Sequence, residues 1–307
     1  MENILLIGDI LAGSIETLFS IPQGDWPETR SISPDGTAIA GSDQFLFLHG
    51  GSNDYYAAYS QPLEAAREDV APWVAFIDEC DQICRAAGVD FRFVVVPNKA
   101  SVISEHYPLP LAHPVTPRLR FLSEQVGPEH LPLIDAIRAH PQRIGFFRRN
   151  DSHFTELANI AVTGMVLESL GLKNAIADLE CRFVRVSHPG DLGGKFAQPP
   201  MESVARLILP ENVFSQTIIQ EPKGQHTGLD YETECTGAPF DERLLVFGNS
   251  FFERPVSWGM APYFVRLFRH VRFRWATGPV EQTIREFKPE IVLLQTCERF
   301  LSLAPAG

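Results

Sequence analysis

The chain contains the segment Leu244-Leu245-Val246-Phe247-Gly248-Asn249-Ser250, which predicts the class of fold. Charged residues precede it, so its four apolar residues predict a short buried strand. The Gly-Asn-Ser turn that follows would lift a serine hydroxyl out at the carboxyl end of that strand. Ligands bind at this edge in open α/β sheets, so Ser250 is a candidate functional residue.

A serine hydroxyl needs a positioned base before it can act as a nucleophile. Earlier in the chain, Asp151-Ser152-His153 places a carboxylate and an imidazole two residues apart, so that Asp151 can orient His153. Each motif alone has an ordinary interpretation, because Gly-Asn-Ser is a common turn and Asp151 or Ser250 could cap a helix. Their joint presence beside apolar segments favours Ser250, His153 and Asp151 as catalytic residues.

Composition narrows the class of protein. The chain has 307 residues, of which 45% are hydrophobic, enough for one large α/β domain or two small ones, and we predict a single domain over 1–307. The net charge of -12 argues against a nucleic-acid partner and against docking on anionic membranes. The five cysteines form no zinc-binding pattern, so we expect buried or free thiols, no metal and no cofactor.

The N-terminus and the hydropathy pattern predict the location of the protein. No basic segment precedes the first apolar run, which is too short for a signal peptide. No apolar run is long enough for a membrane-spanning helix. We therefore expect a cytoplasmic protein without a membrane segment.

Further apolar runs predict a mostly parallel sheet. Residues 91–96 form the most convincing buried strand, and they follow a predicted helix over 63–87, an order typical of a βαβ unit. Residues 291–296 are the last predicted strand. We expect 93–96, 244–247 and 291–294 to be neighbouring central strands.

Other segments give weaker predictions. Residues 179–240 contain no long helical pattern, so we interpret them as a β-rich insertion or cap. Gly8-Asp9-Ile10 resembles a Gly-Asp-Ser nucleophile turn, but Ile10 occupies the position of the serine. The remaining expectations are a loop over 21–40, a short strand or turn over 133–135, a helix over 156–170 capped by Thr155, and a helix over 258–270 followed by a strand over 271–275.

Four polar residues outside the catalytic group have open roles. Asn98 and Lys99 follow the strand over 91–96 and would stand at the ligand-binding edge, although a capped turn with a solvated lysine is equally compatible. Arg299 follows the last strand, and we favour a salt bridge that anchors the chain end over a substrate contact. His188 is interpreted as a solvated loop histidine rather than a residue that borders the site.

Several segments resemble one family and occur in the same order. They are Phe45-Leu46-Phe47-Leu48 with Asn53-Asp54 and Tyr59, Val96-Pro97-Asn98-Lys99-Ala100-Ser101-Val102 with Tyr107-Pro108, Asp151-Ser152-His153-Phe154-Thr155, Gly190-Asp191-Leu192, Gly248-Asn249-Ser250-Phe251 and Glu298-Arg299-Phe300-Leu301. Together they resemble the SGNH-hydrolase-like domain of the alginate O-acetyltransferase proteins AlgJ and AlgX over roughly residues 40–303. The resemblance implies an SGNH-hydrolase-like (flavodoxin-like) three-layer sandwich with a mostly parallel sheet.

The resemblance also implies a chemistry. It is serine-dependent acyl (O-acetyl) transfer to or from a carbohydrate hydroxyl, with Ser250 as nucleophile, His153 as general base and Asp151 as its orienting partner. The implied partners are a carbohydrate acceptor and an acyl donor, which a partner protein could supply. Asn249 stands where many relatives carry Asp or Thr, so its substrate contacts could differ. The family is usually exported, which contrasts with the cytoplasmic location expected here.

The expected mechanism leaves some roles open. The backbone N–H of Ser250 is the first expected donor to the tetrahedral oxyanion, and Asn98 is a candidate for the second. Lys99, Asn249 and Arg299 are further candidates for substrate or oxyanion contacts. Two other functions remain open: an esterase that uses the same residues, and a glycan-binding protein without catalysis.

Overall fold

The computed structural model describes residues 5–8, 15–51, 54–172, 175–222, 228–256, 258–276, 278 and 281–305. The Gly8-Asp9-Ile10 turn therefore lies mostly outside the described residues. The described helices are α1 (Leu63–Ala86), α2 (Lys99–Val102), α3 (Pro117–Gln125), α4 (Ile134–Ala139), α5 (Glu156–Ser169), α6 (Ala261–Leu267) and α7 (Glu281–Phe287). None of them is long and apolar enough to cross a bilayer.

The strands of the described residues are numbered in chain order. They are β1 (Leu5–Leu6), β2 (Ile21–Gln23), β3 (Ala38–Ala40), β4 (Leu46–Leu48), β5 (Asp90–Val96), β6 (Glu180–His188), β7 (Met201–Ile208), β8 (Ser215–Gln220), β9 (Asp230–Glu234), β10 (Phe240–Gly248), β11 (Phe268–Trp275) and β12 (Ile291–Cys297).

The central sheet has six strands in the order β5-β12-β10-β11-β9-β8. The first four are parallel, and β9 and β8 extend the sheet as antiparallel strands. Leu293 of β12 pairs with Val246 of β10, and Leu294 pairs with Phe93 of β5. This confirms the mixed α/β class, the mostly parallel sheet and the adjacency of the three predicted strands, but β5 lies at the edge of the sheet and not at its centre. Every residue of β12 is buried, as expected for a parallel strand covered on both faces.

The central strands bring their carboxyl ends to one edge of the sheet. Asn98 follows β5, Asn249 and Ser250 follow β10, and Glu298 follows β12. Residues far apart in sequence therefore meet at this edge, because neighbouring parallel strands end side by side.

Two smaller sheets correct the predicted loop over 21–40. Strands β2 and β3 both fall in that segment: β2 is an edge strand in the order β1-β6-β7-β2, and β3 pairs with β4. Pro22 is compatible with an edge strand because only one side of β2 needs to pair. In the segment 179–240, β6 and β7 join the first of these sheets, whereas β8 and β9 join the central one. The division into one domain with an insertion stays a prediction.

Three local predictions were wrong. Residues 133–135 lead into helix α4 rather than a strand. The helix predicted over 258–270 is only the seven residues of α6, and β11 already begins at Phe268. Residues that are buried on all sides show no periodicity that would distinguish a helix from a strand. Thr155 does not cap α5 with its side chain; its hydroxyl donates to the Gly145 carbonyl over 2.6 Å.

The helix pattern over 63–87 is confirmed by α1. Val70, Trp73, Ile77, Cys80 and Cys84 are buried at helical spacing and belong to the main hydrophobic core. All five cysteines are buried and free. Burial raises the pKa of both Cys80 and Cys84 to about 12, which makes these thiols unreactive.

Candidate active site

Ser250, His153 and Asp151 form a continuous hydrogen-bonded chain. Ser250 Oγ lies 2.9 Å from His153 Nε2, and His153 Nδ1 lies 2.7 Å from Asp151 Oδ1. The side chain of Asp151 is 5% exposed and that of His153 26% exposed. The buried end of the chain is therefore the carboxylate, and the hydroxyl stands at the sheet edge. In this arrangement a carboxylate fixes the imidazole, and the imidazole can accept the serine proton.

The turn after β10 holds Ser250 in place. Asn249 accepts a hydrogen bond from Phe251 N with its side-chain Oδ1 over 3.2 Å, and one from Phe252 N with its carbonyl over 2.9 Å. Its own N–H donates to Gln295 of β12 over 3.2 Å. The side-chain Nδ2 of Asn249 donates to Cys297 Sγ over 3.4 Å, so both ends of this amide, predicted as a candidate for substrate contact, already have partners within the protein.

The second oxygen of Asp151 is also surrounded by donors. Asp151 Oδ2 lies 3.3 Å from His188 Nε2, 3.3 Å from Asp191 N and 3.5 Å from Arg148 Nη1. Burial by itself raises the pKa of Asp151, but His153, His188 and Arg148 together hold it well below its ordinary value. Asp151 therefore stays ionised beside the imidazole.

His188 is not the solvated loop histidine that the sequence predicted. It is the last residue of β6, and its ring contacts Asp151 on one side and lies 5.5 Å from the Trp258 ring on the other. The Arg148 guanidinium lies 4.0 Å from the centroid of the same indole ring. The correction arises because β6 ends directly beside the Asp151 segment, a contact that sequence order does not reveal.

Sequence reasoning did not assign a role to Asp191, although the Gly190-Asp191-Leu192 motif was noted. Its carboxylate accepts hydrogen bonds from the backbone N–H of Ser152 over 2.6 Å and from the Ser152 hydroxyl. Asp191 Oδ2 also lies 3.6 Å from His153 Nδ1. A second carboxylate thus faces the imidazole.

Asp151, His153 and Asp191 each offer a ligand atom within 4.8 Å of one another. Two carboxylates and an imidazole are a donor set that divalent cations accept. Both carboxylates, however, already accept hydrogen bonds, Asp151 from His153 and Asp191 from Ser152. The protein satisfies this set by itself, and we assign no metal site here.

Lys99 is buried, in contrast to the solvated lysine considered from sequence. Its Nζ donates to the carbonyl of Leu46 over 2.8 Å and to that of Arg149 over 3.2 Å. Glu202 accepts from Arg149 N over 2.7 Å, so the backbone of Arg149 is held from both sides. Burial lowers the pKa of Lys99 to about 8, while the nearby carboxylates of Glu202 and Asp151 oppose this shift. Lys99 therefore supports the segment that carries Asp151.

We expect Lys99→Met to lower the free energy of unfolding by about 3 kcal/mol, because two buried carbonyls and Glu202 lose their cationic partner. Urea denaturation at pH 7 measures this change. Lys195→Met is the matched control: Lys195 makes an exposed 3.2 Å ion pair with Asp35, and its loss should cost less than about 1 kcal/mol. Equal effects of the two substitutions would contradict the supporting role of Lys99.

The chain end is anchored by Glu298 and not by the predicted salt bridge of Arg299. The buried Glu298 carboxylate accepts hydrogen bonds from Asn98 N over 2.6 Å, from Ser101 Oγ over 2.7 Å and from Thr116 Oγ1 over 2.6 Å. Arg299 makes no ion pair within the described part of the chain. Its guanidinium lies 5.8 Å from the Phe251 ring centroid, so Arg299 stands beside the nucleophile turn.

Asn98 and Arg299 line a small cavity together with Ser152 and Lys99. Asn98 is 5% exposed, and its Oδ1 is buried without a hydrogen-bond partner among the described residues. A buried polar atom without a partner is uncommon and calls for a reason. The amide oxygen of Asn98 is therefore without a partner next to the segment that carries His153.

The fold and the site together define a class: an α/β protein with a mostly parallel sheet, at whose carboxyl edge a serine, an imidazole and a carboxylate meet. Solved structures share this fold at low identity. Bacillus cereus PatB1 with a sulfonyl adduct matches with a TM-score of 0.61 and 16% identity, over 88% of this chain and 99% of that one. The O-acetyltransferase domain of Pseudomonas putida AlgJ matches with a TM-score of 0.53 and 15% identity, over 88% and 93%.

A DHHW family protein from Eubacterium siraeum matches with a TM-score of 0.50 and 13% identity, over 92% of this chain and 95% of that one. No protein-family model matches the chain, and no curated protein is similar to it in sequence. At these identities the similarity establishes the fold, and the resemblance to AlgJ that the motifs indicated is confirmed at that level.

Proposed function

We propose that this protein is a serine-dependent acyltransferase that moves an acetyl or similar acyl group to a carbohydrate hydroxyl. The observation that carries the proposal is the hydrogen-bonded chain of Ser250, His153 and Asp151 at the carboxyl edge of the sheet. The fold supports it, because a solved domain of the same fold is an O-acetyltransferase. A partner protein that delivers the acyl group is compatible with this role.

The proposed reaction has two displacements. Ser250 Oγ attacks the carbonyl carbon of the acyl donor while His153 Nε2 takes the hydroxyl proton, which gives a tetrahedral oxyanion. The bond to the leaving group breaks as His153 returns the proton to it, and an acyl-enzyme forms on Ser250. The acceptor hydroxyl then attacks the acyl carbon while His153 takes its proton, and His153 passes that proton to Ser250 Oγ as the bond between Ser250 and the acyl group breaks.

Two groups are proposed to bind the oxyanion. The backbone N–H of Ser250 makes no hydrogen bond to the described residues, so it is free to donate. The side-chain Nδ2 of Asn98, at the same edge of the sheet, is the proposed second donor. Donors of this kind stabilise the transition state because they are fixed before charge develops.

We expect Asn98→Ala to lower kcat by about 10²- to 10³-fold with little change in KM, because the oxyanion forms only in the transition state. Steady-state hydrolysis of a chromogenic acetyl ester measures both constants. Asn98 Oδ1 has no hydrogen-bond partner in the described structure, so the melting temperature should change little. An unchanged kcat in Asn98→Ala would assign the second donor elsewhere.

Supply of the chromogenic acetyl ester with and without a sugar acceptor tests the proposed function. A transferase releases the chromophore faster with the acceptor and yields an acetylated sugar, detected by mass spectrometry. Equal release with acetate as the only product would identify an esterase, an alternative favoured by the partial exposure of His153 to water. No turnover in either case, with sugar binding intact, would leave the non-catalytic glycan-binding function.

A further inference from the structure

The imidazole of His153 faces two carboxylates, of which the mechanism above uses one. Asp151 Oδ1 is hydrogen-bonded to Nδ1 over 2.7 Å, and Asp191 Oδ2 lies 3.6 Å from the same nitrogen. Their environments differ, since the side chain of Asp191 is 40% exposed and that of Asp151 only 5%. His188 and Arg148 contact Asp151 rather than His153, and two further cations, Lys99 and Arg299, line the cavity beside Ser152.

The loop that carries Asp191 is attached to the Asp151 segment through its backbone. Leu192 N and Gly193 N donate to the carbonyl of Asn150 over 3.1 and 2.9 Å, and the Asn150 side chain donates to the His188 carbonyl over 2.7 Å. Asp191 N donates to Asp151, while Ser152 N donates to Asp191. The two carboxylates are thus held by reciprocal hydrogen bonds. Backbone hydrogen bonds of the loop, as well as those of the side chain, fix the position of Asp191 beside His153.

We propose that Asp191 is a positioning residue for His153: it is a second carboxylate that stabilises the imidazolium formed during acyl transfer and that can replace Asp151 when Asp151 is lost. The proposal rests on the proposed function, because it requires His153 to take the proton of Ser250. Physically, the imidazolium gains from each anion within about 4 Å, and this gain is absent when the ring is neutral. Asp191 therefore favours the transition state over the resting state.

Covalent labelling of Ser250 by an aryl sulfonyl fluoride tests this without knowledge of the natural substrates. In that reaction Ser250 Oγ forms a bond to sulfur, fluoride leaves, and His153 takes the hydroxyl proton. The rate of labelling, followed by intact mass, is compared among the wild type, Asp191→Asn, Asp151→Asn and the double variant. EDTA is present throughout, so that a cation held by the same three residues does not contribute.

We expect Asp191→Asn to slow labelling about tenfold alone and about a hundredfold in the Asp151→Asn background, within the range that acid–base catalysis contributes. The acid limb of the labelling rate should move to lower pH in Asp191→Asn, because the imidazolium has lost an anion. Asp35→Asn is the matched control: Asp35 likewise accepts from a hydroxyl and a backbone N–H, those of Ser33 and Thr37, and its replacement should leave the rate unchanged.

The outcomes separate this inference from the proposed function. A wild-type protein that is not labelled at Ser250 would overturn both. The role of Asp191 alone would be overturned if the wild type is labelled but Asp191→Asn slows labelling by the same factor with and without Asp151→Asn and leaves the pH profile unchanged. Asp191 would then only maintain the structure of its loop.

Discussion

Ser250→Ala is expected to abolish acyl transfer, with turnover of an acetyl ester falling by about 10⁴- to 10⁶-fold. The variant lacks the hydroxyl oxygen that forms the proposed acyl-enzyme, so only the slow reaction supported by the oxyanion donors would remain. The hydroxyl of Ser250 makes its hydrogen bond to His153, and the surrounding turn is held by Asn249, so the fold should survive. Initial rates and the melting temperature check both parts.

His153→Ala should cost about as much as Ser250→Ala, and the double variant should be little worse than either. Residues that act as one unit give such non-additive losses, because removal of either member removes the whole function. Ser123→Ala is the matched control, since the Ser123 hydroxyl bonds only to carbonyls of its own helix. Turnover that survives in Ser250→Ala would contradict the role of Ser250 as the nucleophile.

The sequence was informative wherever a local pattern determines the structure. The apolar runs that became β5, β10 and β12 are buried on both faces, so their hydrophobicity alone predicts them. The Asp-x-His and Gly-Asn-Ser motifs flank such segments, which is why Asp151, His153 and Ser250 could be predicted to meet before any distance was known.

What could not be predicted depends on partners distant in sequence. The sequence alone allows Lys99 to be solvated, whereas in the structure its Nζ donates to the carbonyls of Leu46 and Arg149. Glu298 is likewise a charged residue whose buried partners, Asn98 and Thr116, are distant in sequence. A buried charge is compatible with folding only when such partners exist, and a single sequence does not name them.

Local patterns also failed where the environment is uniform. Residues 259–268 are all buried, Arg266 included, so a helical period and a strand period fit equally well, and the boundary between α6 and β11 was placed too late. Strand β7 was missed for another reason, because its apolar residues do not alternate strictly with polar ones.

The second large effect is expected for Gly190→Ala, which should destabilise the protein by about 3 kcal/mol or more and also slow labelling of Ser250. Gly190 has φ +66°, a conformation that disfavours a side chain, and a Cβ there would lie 2.1 Å from the carbonyl oxygen of Asn150. Because that atom belongs to the backbone, the two segments must separate. The separation would move Asp191 away from His153 and loosen the hydrogen bonds to Asp151.

Two other glycines separate the causes of this effect. Gly194 lies in the same loop, its φ is not positive and a Cβ there meets nothing within 4 Å, so Gly194→Ala should leave stability and labelling unchanged. Gly171 has φ +67° and equally open surroundings, so Gly171→Ala measures backbone strain alone, about 1 to 2 kcal/mol. Urea denaturation of the three variants gives the comparison. Gly190→Ala could instead lower the free energy of unfolding no more than Gly171→Ala does, with Ser250 still labelled at the wild-type rate. In that case the close approach of the Gly190 loop to Asn150 is not what holds the site together.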